Sequence, residues 1–150
     1  MLGDWIHDPE GLEGPVGSSE GLGLLELETH MLPGKRLRNV GGRLLPEGVP
    51  VVGYEIHQGV SEGPALARPF CELEGRPEGA VSEDGRVMGS YLHGLFDSAE
   101  ACAALLARCG LAEEGAAVDL AAHREAELDR LADALEQHLD IAAIERLLDL

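Results

Sequence analysis

Residues 86–97 read RVMGSYLHGLFD, and the reading of this stretch decides the fold. Arg86 to Tyr91 predicts a buried strand, because Val87, Met88 and Tyr91 are apolar or aromatic and Gly89 permits close backbone approach. His93 follows at the strand end, and Gly94 allows a sharp turn after it. A histidine whose backbone is fixed by a sheet and whose ring is free suits proton transfer near neutral pH. A satisfied turn or core histidine has the same local sequence, so both readings of His93 stand here. Just upstream, Glu83-Asp84-Gly85 separates Ala80-Val81-Ser82 from Arg86–Tyr91. Asp-Gly between two extended runs signals a hairpin. Just downstream, Ser98 predicts a helix N-cap, Ala101, Leu105 and Leu106 an apolar face, and Gly110 the stop.

Working outward, Val49–His57 predicts another strand, entered at Pro50 and driven by Val51, Val52, Tyr54 and Ile56. Gln58–Pro64 reads as a loop. Leu22–Leu32 alternates Leu25, Leu27 and Thr29 against Glu26, Glu28 and His30, so a strand is expected there, ended by a turn at Pro33-Gly34. Arg36–Leu45 suggests a second strand. Leu66–Leu73 suggests a further one, crossed by Pro69 and so at an edge, with a turn over Gly75–Gly79. Residues 1–23 are too rich in glycine and proline for a long element. Residues 111–118 read as a loop. Asp119 predicts a cap for a long helix whose stripe is Leu128, Leu131, Ala132, Leu135 and Leu139. Asp140 predicts a cap for a last short helix with Ile141, Ile144, Leu147 and Leu148 facing inward. Strands followed by helices, with hairpins among the strands, give an α/β or α+β domain whose sheet is not all parallel.

Composition limits what such a domain does. The 150 residues carry a formal net charge of −17, with 28 acidic against 11 basic side chains. A surface this acidic repels phosphate backbones and anionic lipid, so no nucleic-acid or membrane partner is expected. No apolar run approaches the roughly 18 residues of a membrane span, and the start shows no secretory signal. Cys71, Cys102 and Cys109 lack metal-type spacing, so no metal site is expected, and they fit a reducing cytoplasm.

Three ordered stretches now stand together: Gly53-Tyr54-Glu55-Ile56-His57, Gly89-Ser90-Tyr91-Leu92-His93-Gly94-Leu95-Phe96-Asp97 and His138-Leu139-Asp140-Ile141. The set resembles the glutamine amidotransferase domain of the cobyric acid synthases. Asp8-Pro9-Glu10-Gly11, Gly21-Leu22-Gly23-Leu24-Leu25 and His123-Arg124 extend the likeness. Met1-Leu2-Gly3 resembles the start of the helix that follows the family's catalytic-cysteine turn. The resemblance implies a class I glutamine amidotransferase-like, flavodoxin-like mixed sheet with terminal helices. It also implies glutamine hydrolysis by a cysteine nucleophile and a histidine base. The released ammonia would pass to an ATP- and Mg2+-dependent synthetase domain that amidates carboxylates of adenosylcobyrinic acid a,c-diamide, a corrinoid of cobalamin biosynthesis.

Residue by residue, the resemblance assigns the base to His93. Many glutamine amidotransferases place a glutamate two residues after that histidine, and here the position is Leu95. Glu55 and His57 are therefore candidates to orient the base or to shape the glutamine pocket, and strand alternation puts both on one face. No cysteine sits on a glycine-flanked strand-to-helix elbow, and no phosphate-cradling glycine-lysine loop is present. The expectation is a C-terminal part of a larger protein. It would bind no cofactor of its own, and its nucleophile and ATP site would lie in the preceding part. A non-catalytic docking module and a related amidotransferase, such as a cobyrinate a,c-diamide synthase, are the alternatives.

Overall fold

The computed structural model describes residues 1–111 and 119–148. Its centre is a long antiparallel pair, β3 (Glu28–Leu44) and β4 (Pro50–Glu62). On one side, β1 (Trp5–Asp8) runs parallel to β3 and pairs antiparallel with β2 (Gly17–Glu20). On the other, the two-residue β9 (Leu92–His93) pairs antiparallel with β4. The order is β2-β1-β3-β4-β9, with β5 (Cys71–Leu73) on the far end of β3 and β6 (Arg76–Glu78) beside it. A separate hairpin joins β7 (Ala80–Val81) to β8 (Met88–Gly89). One parallel pair among antiparallel ones makes the sheet mixed, as expected.

The elements differ from expectation in instructive ways. Pro33-Gly34 does not end a strand. β3 runs through it, and the register jumps from Met31↔Gly59 to Arg36↔His57. Residues 32–35 thus bulge opposite Gln58 alone, and the odd shift turns Thr29 and Met31 to the same side as Arg38 and Val40. Residues 58–62 continue β4 instead of forming a loop, because β3 pairs with them. Leu66 does not start a strand: Pro64–Ala67 is a 3-10 turn and only Cys71–Leu73 is extended. Met1-Leu2-Gly3 starts no helix. Its carbonyls accept the amides of Leu22, Leu24 and Gly23 at 2.8–3.0 Å, which holds it extended. β1 and β2, placed in the segment expected to be irregular, gain their order from each other and from β3. Arg86–Tyr91 is extended only at Met88–Gly89, with Ser90 and Tyr91 making a break before β9.

The core lies on one sheet face. Val40, Leu44, Val51, Phe70, Cys71, Leu73 and Leu92 pack there with Ala101 and Leu105. The last two come from α1 (Ala99–Arg108), capped by Ser98 Oγ accepting from the Ala101 amide at 3.1 Å. Gly110, at φ 82°, ends it as expected. Asp119 and Asp140 likewise cap α2 (Leu120–His138) and α3 (Ile141–Leu147). The inward packing expected of these two helices is not seen. Leu128, Leu131, Leu135, Ile144 and Leu147 are exposed, because helical periodicity marks the face that can be buried without supplying a partner. The expected loop at 112–118 lies outside the described residues. The sheet face opposite the core carries Leu37, Val52, Tyr54 and Val60, all exposed. Among the described residues, no helix is long and apolar enough to cross a membrane.

Candidate active site around His93

His93 ends β9, and its position follows from three devices. The first is register: Tyr54 stands directly opposite His93, and Glu55 opposite Leu92. The Tyr54 and His93 rings stack at 4.9 Å with only 8° between their planes. Stacking covers a face of the imidazole and leaves its edge, where the nitrogens lie, outside the stack. His93 is exposed. The second device is Gly53, one residue before Tyr54. A Cβ there would run into the His93 carbonyl oxygen and stand 3.0 Å from Leu92 Cδ1, so only glycine lets the strands approach this closely.

The third device is Glu78, at the end of β6. Its carboxylate accepts the Tyr91 amide at 2.8 Å and the Ser90 hydroxyl at 2.6 Å, and Cys71 Sγ donates to it at 3.2 Å. Ser90 Oγ in turn accepts the Leu92 amide at 3.0 Å. One partly buried carboxylate thus clamps the bend that feeds β9. After His93, Gly94 at φ 82° turns the chain, and its carbonyl accepts the Asp97 amide at 3.0 Å. The turn delivers Ser98 to cap α1.

Glu55 and His57 do share a face, but it is the face opposite His93 and Tyr54. Alternation along β4 requires this once Tyr54 is paired with His93. Neither Glu55 nor His57, expected as candidates to orient His93 or to shape the glutamine pocket, therefore lies on the His93 side of the sheet. Glu55 is buried, 4% exposed, and Arg38 holds it through Nε at 2.6 Å and a second guanidinium nitrogen at 2.5 Å. Arg76 adds a longer contact at 4.0 Å. His57 Nδ1 donates to the Gly59 carbonyl at 2.9 Å, and its ring stacks on Tyr91 at 4.5 Å. The Tyr91 hydroxyl is 2.9 Å from Ser61 Oγ, which is 2.9 Å from Thr29 Oγ1. His57 thus belongs to a polar chain that ties the bend before β9 to β4.

The sequence pointed to His93 but missed Tyr54, Ser90 and Glu78 as its supports. Tyr54 lay inside a noticed motif. Glu78 gave no local signal, since its role exists only after β6 folds against Ser90. Cys71 is no ready nucleophile. Cys71 is buried in the core, and burial first, then the Glu78 carboxylate, push its thiol well above the ordinary cysteine range. Cys102 is partly buried on α1 and Cys109 is exposed at its C-cap. A cavity of about 220 Å³, lined by Leu2, Leu25, Leu27, Ser61, Ala80 and Tyr91 among others, does not include His93, Glu55 or His57.

Residues 1–101 match the family described as the CobB/CobQ-like glutamine amidotransferase domain. The match takes in every strand, the Tyr54–His93 stack, the Glu78 clamp and the start of α1. It covers more than half of the chain, and with that span the chain belongs to the CobB/CobQ-like glutamine amidotransferase family.

Proposed function

We propose that this chain supplies the general base of a glutaminase within a cobyric acid synthase, and that His93 is that base. The observation that carries the reading is the His93 ring itself: exposed, stacked on Tyr54 at 4.9 Å, and held by the Gly53 approach and the Glu78 clamp. A base has to be fixed in place while its nitrogens stay reachable, and this arrangement does both.

The chemistry runs as proton bookkeeping around that ring. A cysteine thiol loses its proton to the imidazole and attacks the side-chain carbonyl carbon of glutamine. The tetrahedral intermediate collapses to a thioester as the imidazolium gives its proton to the departing nitrogen, which leaves as ammonia. Water, deprotonated by the same imidazole, then releases glutamate and restores the thiol. In this reading the nucleophile comes from residues outside this chain, because none of Cys71, Cys102 and Cys109 sits on a glycine-flanked elbow, and Cys71 is buried in the core. Glu55 has a structural role, its carboxylate committed to Arg38 on the core face. The ammonia serves an ATP-dependent amidation of corrinoid carboxylates elsewhere in the protein. No phosphate-binding glycine-lysine loop occurs in these 150 residues, so no step of the ATP chemistry is assigned to them.

Two measurements test this. In the intact synthase, His93→Ala abolishes glutamine-dependent amidation and leaves ammonia-supported amidation largely intact; equal loss of both sinks the assignment. The 150-residue chain alone gives no measurable glutamate release from glutamine. Robust turnover abolished by Cys71→Ser would show a complete glutaminase of another design.

A further inference from the structure

On the exposed sheet face, where β1 pairs with β3, three side chains converge that the glutaminase chemistry does not use. The parallel pairing of β1 with β3 sets His7 beside His30 and Trp5 beside Glu28. Facing repeats every two residues along a strand, so Glu28 and His30 share that face. The result is two imidazoles and a carboxylate whose ligand atoms all lie within 4.8 Å of one another. His7 Nε2 and Glu28 Oε2 are 3.0 Å apart, and the His7 and His30 rings stack at 4.7 Å. His7 Nδ1 sits 2.8 Å from Ser18 Oγ on β2. Metal-ligating histidines ordinarily have their second nitrogen held in this way, which fixes the ring and aims the first nitrogen. Register also brings Glu20 opposite Trp5 and Glu62 opposite Glu28, which adds negative charge to the same face.

We propose that His7, Glu28 and His30 form a binding site for a divalent transition-metal ion, with Zn2+ the best fit to the donor set. Two imidazoles and one carboxylate are a common zinc ligand set, and water completes four-coordination. Bonds of that type hold ligand atoms about 3.2–3.5 Å apart. The side chains of His7 and Glu28 are 27% and 49% exposed, so modest χ rotations close the remaining gap without moving the backbone. The ion takes the place of the proton between His7 and Glu28 and cross-links β1 to β3. It thereby secures the N-terminal hairpin to the sheet.

Trp5 is the sole tryptophan of the chain and its ring lies 6.5 Å from that of His7, which provides an internal reporter. The untagged, metal-stripped 150-residue chain is titrated with Zn2+ by calorimetry and with Co2+ by visible absorption and Trp5 emission. One ion per chain is expected, with a Kd of about 10 µM or tighter. Co2+ quenches Trp5 and Zn2+ reverses the quenching. His7→Ala and His30→Ala each weaken binding by about 100-fold or more, and Ser18→Ala by about 10-fold. His123→Ala and His138→Ala, on α2, leave it unchanged. Independently of any variant, Zn2+ protects His7 and His30 of the unmodified chain from carbethoxylation, read by mass spectrometry. Absence of one-to-one binding, equal binding by the His7 and His30 variants, or loss confined to the α2 histidine variants overturns the proposal. So does unprotected modification of His7 and His30 in the presence of Zn2+.

Discussion

Replacing Gly53 by alanine tests how the sheet holds His93. Gly53 does not have a positive φ, so alanine fits its backbone and the effect is purely steric. The new methyl group meets the His93 carbonyl oxygen well inside the closest approach real Cβ atoms show, and its obstacle is backbone, which cannot rotate away. Relief requires β9 to withdraw from β4 by about 1 Å, at a cost of about 1–3 kcal/mol for overpacking. With a urea m-value of about 1–3 kcal/mol/M, the unfolding midpoint falls by about 1 M. Gly41→Ala is the control, since a Cβ there has nothing nearer than 3.8 Å. It is expected to stay within about 0.5 kcal/mol of the parent or gain slightly from a stiffer unfolded chain. A local readout separates loss of position from loss of fold. The Tyr54 ring current shifts the His93 ring protons upfield in the parent, and Tyr54→Ala defines their unshifted position. Gly53→Ala moves them towards that position while α1 resonances stay in place. Under the role proposed for His93, a displacement of about 1 Å is expected to cost about 10²-fold in glutaminase rate. If Gly53→Ala leaves both the midpoint and the His93 shift unchanged, the close approach does not hold this histidine.

Three further outcomes follow from the same structure. Glu78→Ala removes the acceptor for Tyr91, Ser90 and Cys71, and we expect about 2–4 kcal/mol of destabilisation by urea unfolding; Glu78→Gln, which keeps one acceptor oxygen, costs about 1–2 kcal/mol, and equal costs for the two would argue against a charged clamp. In the folded chain, a thiol reagent at neutral pH labels Cys109 first and Cys71 about 10²-fold more slowly or only on unfolding, checked by peptide mass mapping. Asp8 accepts the amides of Leu12, Glu13 and Gly14 at 2.8–3.2 Å, which hold its carboxyl below the ordinary aspartate range. Its contribution to stability is therefore complete at neutral pH and is lost as the pH falls from the unfolded-state value through the lower folded-state value. Asp8→Asn is expected to flatten the decline of stability in acid, and an unaltered slope between about pH 5 and 2 would contradict this.

What the sequence could express was local. Val51, Val52, Tyr54 and Ile56 announce an extended strand because β-branched and aromatic side chains suit a pleated surface. Ser98, Asp119 and Asp140 announce helix starts because each cap is satisfied within its own first turn. β1 and β2 were invisible for the opposite reason: Ser18 and His7 have no extended preference of their own and are ordered by partners many residues away. Pro33-Gly34 looks like a turn by composition, and only the pairing of both flanking segments with one strand reveals a bulge. His93 stood out in the sequence as a candidate, but the groups that hold it did not, because Glu78 reaches Ser90 and Tyr91 only through a hairpin and a second turn. Glu55 and His57 were correctly placed on one face. Which face that was depended on the β4–β9 register, which no pattern within β4 contains.

The strand that carries His93 is only two residues long and lies at the edge of the sheet. Its amides are therefore shielded by very few pairings, whereas Leu37 and Ile56 sit in the middle of the long β3–β4 ladder. Hydrogen exchange should expose this contrast in time. Leu92 and His93 exchange through brief local openings, and the centre of β3 and β4 exchanges only when the whole domain unfolds. The free energy of the local opening is set by Gly53, the Tyr54 stack and the Glu78 clamp, not by the stability of the sheet. The position of the imidazole is thus adjustable on the timescale of a small edge motion, while the frame beneath it stays still.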